Sequence, residues 1–216
     1  MLSELIIRRI AKATSRLEHR GTPLGSLGIA QTELEQLELA RSGRMFHGGL
    51  QLAANGIAPD TALPTTTAKL ALYNSASDGG RILCIDHLHV FVVSGTPAAG
   101  LTLWVCISNG KLATAVGAMA TGFGAGPTNG QAAAASFARW GTAVTLPAGT
   151  IWSSRGGSFQ LAAANFGQSD QPFEVRGSLV IPPGYAMGVA ILSGAGTTPL
   201  YGVSARWAEV ETDVEP

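Results

Sequence analysis

The sequence predicts a mainly β protein: an antiparallel β-sandwich or jelly roll behind a helical N-terminal arm. The expectation rests on a last third that reads as alternating strands joined by Gly/Pro turns, on further short alternating segments upstream, and on residues 1–66, where helical spacing or turn composition replaces that alternation.

In Phe173–Ile181, Phe173, Val175, Leu179 and Ile181 fall on one face while Glu174, Arg176 and Ser178 fall on the other, the period of two of a half-buried strand. Pro182-Pro183-Gly184 closes it. Proline pre-sets φ at the second turn position and glycine accepts the positive φ that follows, so Pro183-Gly184 predicts a type II turn. Tyr185, Met187, Val189 and Ile191 resume the alternation, and Leu200–Glu211 supplies a third strand.

Upstream, strands are expected over Ala68–Tyr73, Ile82–Val93, Leu101–Ser108, Phe137–Leu146, Thr150–Ser154 and Ser158–Ala162. Turn signals separate most of them, at Asp78-Gly79-Gly80, Pro97–Gly100, Pro147-Ala148-Gly149 and Gly156-Gly157. Leu146-Pro147-Ala148-Gly149 repeats the chemistry of Ile181-Pro182-Pro183-Gly184. Gly117–Ala135 is rich in glycine and alanine and holds no charge. It is expected to be a long loop whose small side chains permit close approach of a partner.

At the N-terminus, Leu2, Leu5, Ile6, Ile10, Ala13 and Leu17 recur at helical spacing, with Arg8, Arg9, Lys12, Arg16 and Arg20 over much of the remaining surface. This describes a basic amphipathic helix. Gly21, Pro23, Gly25 and Gly28 end it, and a second helix is expected from Thr32, with Glu35 completing a capping box and Arg41 and Arg44 near its carboxyl end. Met45–Thr66 reads as an extended connection, which divides the chain into an arm, 1–66, and a sandwich, 67–216, able to fold alone.

Charged residues make up 13% of the 216 residues, net charge is zero, and between Asp86 and Asp170 the ionised side chains are Lys111, Arg139 and Arg155. A surface so sparsely charged suits burial against copies or partners, so a homo-oligomer is expected. Glu4, Arg8, Arg9 and Lys12 interrupt any apolar leader, and no apolar run is long enough to span a bilayer, so a soluble protein without membrane partners is expected. Cys84 and Cys106 lack metal-knuckle or CxxC spacing and read as buried free thiols.

His87 and His89 share one face of a strand, and a His-x-His pair is how cupins begin a metal site. The further ligands of that pattern are missing, since Val90–Val93 and Tyr185–Val189 occupy their places. The pair is therefore expected as core or interface histidines bonded to backbone or to Asp86. Gly122–Gly126 lacks the Lys-Ser/Thr of a phosphate loop, no GxSxG elbow occurs, and no close carboxylate pair suggests glycoside chemistry. No catalytic residue, cofactor or metal is expected, and the chain reads as a non-enzyme.

The basic helix could face nucleic acid, a membrane or a protein. No aromatic is interleaved for base stacking, so docking on a protein is preferred to nucleic acid, through Leu2, Leu5, Ile6, Arg8, Arg9, Ile10 and Lys12. Trp104, Trp140, Trp152 and Trp207 are expected in the core, the alternative being a sugar platform.

Val180-Ile181-Pro182-Pro183-Gly184-Tyr185-Ala186 with Gly188-Val189-Ala190, followed by Ser204-Ala205-Arg206-Trp207-Ala208-Glu209, resembles the jelly-roll proteins that decorate or cement capsids of tailed bacteriophages. The resemblance covers the end of the chain by motif and the remaining body by strand pattern. It implies a non-enzymatic virion structural protein, commonly a homotrimer, bound through arm and loops to the major capsid protein or another virion protein. Such a protein is assembled in the host cytoplasm and ends on the capsid surface. The alternative is a host-recognition or carbohydrate-binding β-sandwich of a phage tail or fibre, and behind it a jelly-roll enzyme using His87 and His89.

Overall fold

The computed structural model describes residues 37–78, 80–95, 101–130, 135–154, 171–193 and 199–211. Among the described residues ten strands form: β1 (Met45–Leu50), β2 (Thr67–Asn74), β3 (Arg81–Ser94), β4 (Leu101–Ile107), β5 (Phe123–Pro127), β6 (Ala138–Thr145), β7 (Ser153–Ser154), β8 (Gln171–Ile181), β9 (Ala186–Ser193) and β10 (Leu200–Glu211). They make two five-stranded sheets, sheet A in the order β5-β1-β10-β3-β8 and sheet B in the order β6-β2-β9-β4-β7. All the pairings are antiparallel. Setting β5 and β6 aside leaves β1-β10-β3-β8 facing β2-β9-β4-β7, the jelly-roll order, and the two set-aside strands lengthen one edge of each sheet.

The alternation of apolar residues explains why the sheets face one another. Leu70 and Leu72 of β2, Leu103 and Val105 of β4, and Met187, Val189 and Ile191 of β9 enter one core with Leu83, Ile85, Leu88 and Val90 of β3 and Tyr201, Val203 and Trp207 of β10. Trp207 stacks on Phe46 of β1 at 6.3 Å between ring centroids, and Phe123 of β5 meets Trp140 of β6 at 5.8 Å. Each ring removes a large apolar area from water, so the second pair holds the two extension strands to each other across the sheets.

Two fully buried polar side chains are bonded to particular partners. Asn74, fully buried, donates from Nδ2 to the carbonyls of Arg81 (2.8 Å) and Ile181 (2.9 Å) and accepts from the Ala76 N–H (3.0 Å), which ties the end of β2 in sheet B to β3 and β8 in sheet A. Glu209, also fully buried, accepts from Ser136 Oγ (2.7 Å) and the Phe137 N–H (2.9 Å), and its other oxygen lies 3.9 Å from Arg81.

The paired turns form as their residues dictate. Gly184 and Gly149 have φ of 82° and 79°. The Tyr185 N–H reaches the Pro182 carbonyl at 3.1 Å and the Thr150 N–H reaches that of Pro147 at 3.3 Å. The second expected helix is helical over 37–41 and ends with the Arg44 N–H on Leu39 and the Gly43 N–H on Ala40, a Schellman arrangement.

Three expectations are corrected. The sandwich unit begins at Glu38 and not at residue 67, because Met45–Leu50 is a sheet strand between β10 and β5 and not a connection. Its HGG core hides the alternation, while Phe46 supplies the buried anchor. Gly117–Ala135 is not wholly loop, since Phe123–Pro127 pairs with β1, its backbone hydrogen bonds replacing the missing side-chain signal. Thr150–Ser154 shortens to the two residues of β7, because Thr150 Oγ1 closes a turn on the Pro147 carbonyl (2.7 Å). The strand expected over Ser158–Ala162, the first helix and the Thr32–Glu35 capping box lie outside the described residues.

Candidate functional site on the outer face of sheet A

The two outward faces differ. Behind sheet B, Ala71, Tyr73, Cys106, Leu146 and Ala186 form a second apolar cluster covered by Leu112, Val116 and Trp152, so loops close that face. Sheet A's outer face instead holds a groove of about 500 Å³.

The register builds the groove strand by strand. One cross-strand row runs Gly126 (β5), His47 (β1), Arg206 (β10), His87 (β3). The next runs Gly124, Gly49, Ser204, His89. The first row has one glycine and the second two where side chains would stand, and a Cβ added at Gly126 would meet nothing within 4 Å. The floor is bare backbone at Gly126, the Gln51 side chain lies over Gly124 beside it, and His47, Arg206, His87 and His89 border the groove. In the third row Phe91 lies across Gly202, whose added Cβ would fall 2.3 Å from the ring.

A β-bulge aims the histidines outward. Arg206 pairs with His87 and Trp207 with Ile85, so Asp86 is an extra residue on β3. Before it, Leu83 and Ile85 face the core; after it, Leu88 and Val90 do. Unbroken alternation from Leu83 and Ile85 would have put His87 and His89 inside. The bulge also brings Asp86 and His87, neighbours in sequence, to one cluster. Asp86 Oδ2 accepts from Arg206 Nε at 2.6 Å and also from Arg206 Nη2, and lies 2.9 Å from His87 Nδ1. Arg206 Nη2 is 3.1 Å from the same Nδ1. With its proton on Nδ1, His87 donates to Asp86 and Nε2 is an acceptor; with the proton on Nε2, Nδ1 accepts from Arg206 and Nε2 is a donor.

His87 thus has the Asp86 partner expected from sequence but is half-buried, not core, and His89 shares its face. Among the described residues no three His, Cys, Asp or Glu groups converge to hold a metal. Trp140 and Trp207 are buried in the core as expected, whereas Trp152 packs into the cap of sheet B and Trp104, between core-facing Leu103 and Val105 on β4, is half-buried outside the core, so the four tryptophans form no common platform. Cys106 is buried and Cys84 half-buried, both free; burial pushes the Cys106 thiol up to about 11, against a smaller downward pull from a backbone hydrogen bond at Gly188. Leu2, Leu5, Ile6, Arg8, Arg9, Ile10 and Lys12 lie outside the described residues. His47, Arg206, Ser204 and the glycine rows were not singled out as a site from the sequence, because register alone brings them together. Among the described residues no helix is long and apolar enough to cross a membrane. No protein-family model, curated protein or solved structure matches the chain.

Proposed function

We propose that the chain is a non-enzymatic structural protein of a virion, a capsid decoration or cement protein of a tailed bacteriophage that assembles as a homo-oligomer, preferably a trimer. The observation that carries the reading is the jelly-roll strand order, which recurs in viral capsid domains. Two features agree with it. The segments that resemble decoration proteins form the end of β8, the turn that carries the chain from sheet A to sheet B, β9 and β10, the last two being the central strands of their sheets. The exposed surface includes large apolar side chains, Ile151 at 82% and Leu52 at 55%, on a chain that is only 13% charged, which favours burial in an assembly.

Attachment is assigned to the N-terminal segment, with Leu2, Leu5, Ile6 and Ile10 laid on a shell protein and Arg8, Arg9 and Lys12 adding charge contacts. Burying a Leu or Ile is worth roughly 1.5–3 kcal/mol, whereas an exposed ion pair gives about 0–1 kcal/mol and is screened by salt. The test is co-sedimentation of the full chain with shells lacking it, at low and high salt. Leu5→Ser with Ile6→Ser should abolish binding, while Arg8→Gln with Arg9→Gln should weaken it. If the wild type stays in the supernatant, the virion reading fails; if only the arginine variant is lost and salt releases the wild type, the apolar docking fails.

A further inference from the structure

We propose that the groove on the outer face of sheet A binds a neutral saccharide, whether or not the chain belongs to a virion. The argument starts from charge. Arg206 is the cation of the groove, and Asp86 already neutralises it through contacts from both Nε and Nη2. A phosphate or carboxylate approaching Arg206 would meet the Asp86 carboxylate beside it. A metal finds no group of three ligands among the described residues.

What the groove does offer is hydrogen-bonding capacity of mixed sign. Imidazoles at His47, His87 and His89, the Ser204 hydroxyl and the Gln51 carboxamide line it, and each of these types can donate and accept. Next to them stand guanidinium donors and a carboxylate acceptor in one cluster, the combination that matches adjacent hydroxyls, which also donate and accept. At Gly126, where an added Cβ would meet nothing within 4 Å, the floor is open backbone, so a flat ring can lie close to the sheet there, with the Gln51 carboxamide over neighbouring Gly124. Phe91, one row further along β3 and β10, places an apolar ring at the end of the same face, suited to the C–H face of a sugar. The volume of about 500 Å³ is within the range of small-molecule sites. The sequence had offered tryptophans for this role; the structure places a His–Arg–Asp surface there instead.

The experiment uses the full chain on a printed array of neutral and acidic glycans, followed by calorimetry with the strongest neutral oligosaccharide, an oligogalacturonate and inorganic phosphate. Gly126→Trp fills the groove at a position with open space above it and no positive φ, so it should fold. It should weaken neutral-glycan binding roughly ten-fold or more, while Ile151→Ser, outside the groove, should leave it unchanged. Asp86→Asn removes an acceptor and a negative charge: it should weaken a neutral saccharide and strengthen an anion. The proposal is overturned if no neutral glycan binds, if phosphate or the oligogalacturonate binds more tightly, or if Gly126→Trp has no effect. It is also overturned if Gly126→Trp lowers the oligomer mass by light scattering, which would make this face a contact between copies.

Discussion

Deleting Asp86 separates the count of residues in β3 from their chemistry. With the bulge residue gone, the alternation runs unbroken: Leu83, Ile85, Leu88 and Val90 all keep the core face and His87 and His89 the outer face, because Arg206 and Trp207, adjacent on β10, already pair with His87 and Ile85. Leu83, Ile85 and Leu88 are 0% exposed and Val90 is 2% exposed, so turning over either half of the strand would expose two buried aliphatic side chains, at roughly 1.5–3 kcal/mol each, about 3–6 kcal/mol that the deletion avoids. What the deletion loses is the Asp86 carboxylate with its contacts to half-exposed Arg206 and His87, about 1 kcal/mol, and Asp86→Ser, which keeps the residue count, loses the same contacts. Urea denaturation followed by circular dichroism compares the three proteins. Both variants should keep a cooperative transition with a slightly lowered midpoint. A deletion that abolishes the transition, or moves its midpoint far below that of the serine variant, would refute the parity argument.

Two further outcomes follow from the buried polar and thiol groups. Glu209→Ala strands the Ser136 hydroxyl and the Phe137 N–H, at about 1–3 kcal/mol each, whereas Glu209→Gln keeps the accepting Oε1 and should lose much less; equal thermal shifts for the two would mean that the Arg81 pairing, not the hydrogen bonds, dominates. Cys106 is raised from 9.0 to about 11 in the fold, chiefly by desolvation, so between those values the unfolded chain loses its thiol proton before the native state does and stability falls as pH rises. Melting temperatures across that alkaline window should fall less for Cys106→Ala than for wild type, and parallel curves would contradict the assignment.

Strands with full alternation, such as Ala186–Ser193 and Leu200–Glu211, were legible because each apolar residue reports its own face. Met45–Leu50 and Phe123–Pro127 were not, because most of their outward positions are glycine and their pairing depends on backbone hydrogen bonds with each other and with β10. The candidate site was legible only as His87 and His89. Arg206 lies 120 residues from Asp86 in sequence, and the bulge that joins them leaves no local signature. The two glycines after His47 carry turn chemistry, which makes the segment read as a linker; in the fold Gly49 keeps the outer face free of a side chain and Gly48 gives room to Trp207 in the core.

The central claim, that the chain is a structural component of a virion, is tested most directly by a density map of the intact particle into which the ten-stranded sandwich is fitted. The account predicts copies on the outer capsid surface at fixed symmetry positions, with the N-terminal segment in contact with the shell. A particle purified to homogeneity that lacks this chain altogether, or that carries it with the N-terminal segment pointing away from every other virion protein, would contradict it.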